Sequence, residues 1–139
     1  MTTRWSIALA LAVVVLIARG EFASAQGAAK EFVLYFDSGH SGIENATQGA
    51  ILDAVVAYAK SNAMHQMEVT GHTDTAEANS QPLSLARANA VVAGLKSRGL
   101  PASVKIVSVT GAGSSDPAVQ PMPRTPEQLN RRVAVDVAP

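Results

Sequence analysis

The sequence predicts a two-layer α/β sandwich of element order βαβαβ(α)β, with both long helices packed on one face of the sheet. Three observations carry this. Stretches of strand length, apolar or alternating, occur at four places along the chain. Two longer segments with helical spacing separate the first three of them, an alternation that calls for right-handed crossovers. The alternate positions of the second and fourth strands are polar, so the sheet face away from the helices is wet.

Phe32-Val33-Leu34-Tyr35-Phe36 is the first strand, ended by Asp37-Ser38-Gly39. Ser41-Gly42-Ile43-Glu44 has the spacing of a capping box, which predicts a helix from there to about Lys60. Ile51, Leu52, Val55, Tyr58 and Ala59 form its apolar face. Met67 to Thr70 alternates and reads as a strand, stopped by Gly71. The next helix is expected from about Leu83 to Arg98, burying Leu85, Ala88, Val91, Val92 and Leu95. Gly99 suits the left-handed position after its last turn, and Pro101 forbids continuation. Val104 to Val109 is the third strand, and Gly111 to Pro123 is a loop rich in Gly, Ser and Pro. Thr125-Pro126-Glu127-Gln128 orders a cap, a first-turn proline and a capping-box glutamine, predicting one and a half turns of helix. The last strand places Val133, Val135 and Val137 inward, with Arg132, Ala134 and Asp136 outward.

The start of the chain has its own logic. A charged MTTR, an apolar run from Trp5 to Ala18 and the small-residue exit Ala23-Ser24-Ala25 describe a secretory signal peptide over residues 1–25. The run falls short of the roughly 20 residues that span a bilayer. Residues 26–31 then read as a tether and 32–139 as one domain, with no direct membrane span after cleavage. There is no cysteine, so the core holds without disulfides. Arg4, Arg19 and Glu21 leave with the leader, and 9 of the 11 basic and 10 of the 11 acidic residues remain. A near-neutral balance argues against nucleic acid, which requires a concentrated basic patch. A charged ligand must therefore be recognised locally, by a few placed residues.

Asp74 and Arg87 are the leading pair for that work. Asp74 lies in the polar turn after the second strand, and Arg87 lies near the start of the helix that follows. On helical spacing Arg87 flanks the buried stripe, its stem along apolar surface and its guanidinium reaching out at the rim. Such a pair suits a zwitterion, with a carboxylate for the arginine and an ammonium for the aspartate. The plainer reading is that Asp74 caps a turn and Arg87 pairs with it or with solvent. Spacing alone leaves both open.

Four motifs in order then resemble the OmpA-like domain, the family of the OmpA C-terminal domain, Pal and the periplasmic part of MotB. They are YFDSG at 35–39, TGHTD at 70–74, LSLARANAV at 83–91 and NRRVAVDV at 130–137. The resemblance implies a four-stranded mixed sheet under two helices and non-catalytic, periplasmic binding of peptidoglycan, linking the cell wall to the envelope near the outer membrane. The implied ligand is the zwitterionic end of diaminopimelate, with its ammonium on Asp74 and its carboxylate on Arg87. Asp37 corresponds to a pocket-lining position, although a turn-capping role fits it equally. Thr73 and Leu83 border the implied site. Arg131 either faces the pocket or ties the last strand to its loop. Peptidoglycan and other envelope proteins are the implied partners, with no cofactor. The sequence also departs from the pattern. The segment from Asp74 to Arg87 is two residues shorter than usual and lacks its glycine, Pro82 precedes the helix, and Asn79-Ser80 replaces a Tyr-Asn pair.

Two rival readings compete. His72-x-Asp74 with His40 and His65 suggests a metal-dependent hydrolase, but no second spaced pair supplies the three protein ligands such sites use. If residues 5–18 stay in the inner membrane, the chain becomes a MotB-like wall-binding component of an envelope machine. That helix would then lack the ionisable residue that a channel-forming span carries.

Overall fold

In a computed structural model, residues 27–139 form a four-stranded sheet with two helices against one face. The expected leader and the first residue of the tether lie outside the described residues. The elements are β1 (Lys30–Tyr35), α1 (Ala46–Ser61), β2 (Gln66–Gly71), α2 (Ser80–Ser97), β3 (Lys105–Gly111), a 3₁₀ turn (Gln128–Asn130) and β4 (Arg132–Ala138). The strand order is β1-β4-β2-β3. β4 pairs antiparallel with both β1 and β2, while β2 and β3 run parallel. The mixed sheet follows from connectivity: β2 and β3 are joined through a helix, and β4 returns between β1 and β2.

The inward residues of every strand meet the two helices in one core. Leu34, Met67, Val69, Val133 and Val135 from the sheet pack with Leu52 and Val55 of α1 and Val91 and Leu95 of α2. Each fully buried aliphatic side chain of this kind contributes about 1.5–3 kcal/mol. The predicted exit of α2 is seen in detail. Gly99 adopts φ +84°, and the amides of Gly99 and Leu100 donate to Lys96 and Leu95 carbonyls.

Several local expectations are corrected. β1 begins at Lys30, so the tether is shorter than expected: Lys30 and Glu31 pair with Val137 and Asp136, and the Lys30 ammonium sits over the rings of Phe32 and Tyr58. The capping box of α1 lies four residues later than Ser41–Glu44. Asn45 Oδ1 accepts from Gln48 N, and Gln48 Oε1 accepts from Asn45 N and Glu44 N. Gln48 also donates to Tyr35 O, fastening the helix start to the end of β1. Near the C-terminus the expected α-helix is a single 3₁₀ turn: Asn130 N and Arg131 N donate to the carbonyls three residues back, Glu127 and Gln128, and the Glu127 carboxylate caps Leu129 N.

The correction that matters most concerns α2. It starts at Ser80, with Pro82 tolerated in the first turn, where no intrahelical N–H is needed. Its buried face is Ser84, Arg87, Ala88, Val91 and Leu95, while Leu85 is 40% exposed. The rotation has a local cause. The first turn of α2 presses onto the ends of β2 and β3, where a Cβ on Gly71 would stand 1.9 Å from Ser84 O and one on Gly111 2.7 Å from Leu85 N. Only glycine permits this approach, and it carries Arg87 inward rather than to the rim.

Candidate functional site

The site lies at the end of the sheet where β2 and β3 finish, between the loop after β1 and the first turn of α2. Arg87 is its centre, and the burial of its side chain is complete. Its guanidinium stacks over Phe36 at 5.3 Å and uses all five N–H groups. Nε donates to His40 O (2.7 Å), one Nη1 hydrogen to His72 O (3.0 Å) and one Nη2 hydrogen to Asp37 O (3.1 Å). Three carbonyls from two loops thus hold the group in place. The remaining two hydrogens meet the Glu77 carboxylate in a bidentate pair, Nη1–Oε1 at 2.9 Å and Nη2–Oε2 at 2.5 Å.

Glu77 is held from a second direction as well. Asp74 N donates to Oε1 at 3.1 Å and Gly39 N to Oε2 at 2.8 Å. Each carboxylate oxygen therefore receives one guanidinium N–H and one backbone N–H. Gly39 has φ +75°, a left-handed conformation that glycine adopts without strain and that turns the loop back toward the site.

Asp74 is buried too, and its oxygens are shared out differently. Oδ1 accepts from Ala76 N and Glu77 N, both at 2.9 Å, and so fixes the turn. Oδ2 accepts from Glu127 N and Arg131 Nη1, both at 3.0 Å. Burial alone would raise this carboxyl, but the bonds from Glu127, Arg131, Ala76 and Glu77 together outweigh it and hold it below its ordinary value. Arg131 in turn gives Nε to Phe36 O.

Asp74 and Arg87 therefore lie close in the fold but do not pair with each other: Glu77 stands on one and Arg131 on the other. Arg87 does not reach out at the rim as its helical spacing suggested. Asp37 contributes its carbonyl to Arg87, while its own side chain is on the exposed loop. Thr73 is buried and gives its amide to Gly113 O. Leu83 lines an open pocket of about 530 Å³ together with Ser38, Gly39, Glu77, Asn79 and Pro82. Glu77 lines this pocket and is also the partner of Arg87, which does not line it. Sequence reasoning missed Glu77 altogether. One signal was present, since Glu77 is the only acidic residue between Asp74 and Arg87.

His72 is buried, and this burial, with the nearby Arg132 charge, pushes its pKa below the ordinary value against the pull of Asp116. No three His, Cys, Asp or Glu side chains converge as metal ligands among the described residues. Nor is any helix among them long and apolar enough to cross a membrane.

An α/β sandwich holding a carboxylate on a buried arginine at the open end of its sheet is the class of domain this geometry defines. The chain belongs to the OmpA family, whose sequence model matches residues 35–131. No curated protein matches it. Among solved structures it is similar to the OmpA-like domain of FopA1 from Francisella tularensis, at 24% identity and a TM-score of 0.66, over 80% of this chain and 73% of that one. It is similar also to the peptidoglycan-associated lipoprotein from Burkholderia pseudomallei, at 25% identity and a TM-score of 0.61, over 76% and 88% of the two chains. The cell wall anchor of the T6SS from Pseudomonas aeruginosa shares the fold at 18% identity and a TM-score of 0.61, over 90% and 95%.

Proposed function

We propose that this domain binds peptidoglycan without catalysis, on the periplasmic side of the envelope, through the zwitterionic end of diaminopimelate in the stem peptide. One observation carries the reading. In a chain of the OmpA family, a guanidinium locked by three carbonyls directs its last two N–H groups, beside two backbone amides, at a carboxylate. The pocket above that carboxylate is open. The ligand carboxylate takes this position on Arg87, and the ligand ammonium is drawn to the negative charge of Asp74, which Arg131 continues to hold. Thr73, Leu83 and Asp37 shape the walls and backbone around the two charges. The solved relatives described as a peptidoglycan-associated lipoprotein and a cell wall anchor support the peptidoglycan part of this reading.

Charge-assisted contacts contribute about 1.5–3 kcal/mol each, and association must offset lost freedom of motion. Two such contacts give weak binding to one peptide. A polymer that repeats the ligand retains the protein through rebinding. The test is retention of the protein on purified sacculi against Arg87→Lys and Asp74→Asn. Lysine keeps the charge but loses the planar fork, so retention drops in both variants, and it drops for wild type when the free diaminopimelate carboxylate is amidated. Full retention of both folded variants rules the site out.

A further inference from the structure

We infer that Glu77 is a built-in competitor for the ligand: its carboxylate occupies the carboxylate cradle of Arg87, and ligand enters only by displacing it. The identity of the displacing ligand rests on the reading above, whereas the competition rests on geometry.

The cradle does not depend on Glu77 for its shape. Arg87 is fixed by the carbonyls of His40, His72 and Asp37, which take three of its five N–H groups. The other two, with Asp74 N and Gly39 N, converge on one planar anion. This is a complete receptor for a carboxylate, and the anion filling it comes from the chain itself. The carrier is a short surface segment, bonded at Ala76 N and Glu77 N to Asp74 Oδ1. Thr75, Ala76, Ala78 and Asn79 are exposed, so Glu77 supplies the inward-directed side chain of this segment. Asn79, where the segment joins α2, adopts φ +53° and makes no side-chain cap, while the first turn of α2 beyond it is fixed to the sheet by Gln81 on Gly111 O and by Ser84 on Gly113 N. Glu77 also lines the open pocket, which gives its side chain somewhere to go. Withdrawal breaks four contacts to the cradle, and Glu77 has no part in the apolar core cluster. By contrast, Arg131, the cation on Asp74, is tied to Phe36 O and to the sheet through its own carbonyl.

If the latch is open about one-tenth of the time, removing it strengthens the apparent affinity about tenfold, because only the open fraction binds. The experiment compares the full chain with Glu77→Ala and Glu77→Gln, each with and without Arg87→Lys. Two probes are titrated: sodium acetate against matched sodium chloride, and a soluble diaminopimelate-containing muropeptide. Acetate is expected to raise the melting temperature of Glu77→Ala in a saturable way, to leave wild type unmoved, and to lose its effect once Arg87 is lysine. Muropeptide is expected to bind Glu77→Ala about tenfold more tightly than wild type. Glu77→Gln retains one acceptor oxygen on the cradle, which preserves the fold should the alanine variant be unstable, and a smaller gain in affinity is expected there. Acetate that fails to stabilise either folded variant overturns the competition. So does muropeptide that binds wild type and variants alike, in which case the peptidoglycan reading stands. Acetate binding that depends on Arg87, with no muropeptide binding by any protein, keeps the competition and overturns the peptidoglycan reading.

Discussion

Arg87 and Asp74 are both buried charges at one end of the sheet, and they are neutralised in different ways. Arg87 receives its counter-charge from Glu77 on an exposed loop, while the body of the fold anchors its other three N–H groups. Asp74 receives its counter-charge from Arg131, which is itself bound to Phe36 O just after β1, and backbone amides fill the rest of its oxygens. The first arrangement has a removable partner on a fixed receptor. The second is a strut between the turn after β2 and the entry to β4. A buried ion pair is weak evidence of stability in itself. What distinguishes these two is whether the partner can leave without disturbing the core.

The largest expected effect tests the receptor. Arg87→Ala strips donors from three carbonyls, leaves Glu77 without its cation and empties space against Phe36. A loss of about 3–5 kcal/mol follows, as for other buried pairs broken on one side. Chemical denaturation measures it, and a loss below about 1 kcal/mol would mean that Glu77 and the three carbonyls relax freely.

The strut gives a smaller, pH-dependent effect. The folded state holds the Asp74 carboxyl below its ordinary value, so its stabilisation is present above the unfolded value near 3.8 and is lost as pH falls through the folded one. Asp74→Asn therefore lowers stability by about 2 kcal/mol at neutral pH and flattens the acid limb of a melting-temperature profile. An acid limb as steep as wild type would remove Asp74 from this role. His72 acts in the same sense at higher pH. Its depressed pKa means that the unfolded chain binds the proton first, so stability declines as pH falls below about 6.5.

The smallest effect concerns motion. The amides of Ala76 and Glu77, bonded to Asp74 Oδ1 on the exposed loop, are expected to exchange with solvent about tenfold faster, or more, than those of His72 and Phe36, which are bonded to Arg132 O and Arg131 O beside the sheet. Equal protection in hydrogen exchange would erase the distinction between latch and strut.

Much of the architecture was legible because its signals are local. Alternation in Met67–Thr70 and Val133–Val137 marked the strands and their inward faces, and Gly99 with Pro101 marked the end of α2. Asn45 and Gln48 also form a local capping box, but Ser41 and Glu44 offered the same spacing four residues earlier, and only the contact of Gln48 with Tyr35 O separates them. Leu85 failed as a core residue for a different reason, since helical periodicity gives a stripe but not the rotation at which the helix docks.

The sequence by itself determined the layer order, the inward side chains of the sheet, the absence of disulfides and the presence of Asp74 and Arg87 on neighbouring elements, because propensity, periodicity and spacing act over a few residues. Only the tertiary structure decided that Gly71 and Gly111 let α2 close onto the strand ends, that Arg87 is thereby drawn inside, and that Glu77 meets it there. Those outcomes depend on backbones distant in sequence coming within van der Waals range. Contact of that kind has no signature in any single stretch of chain.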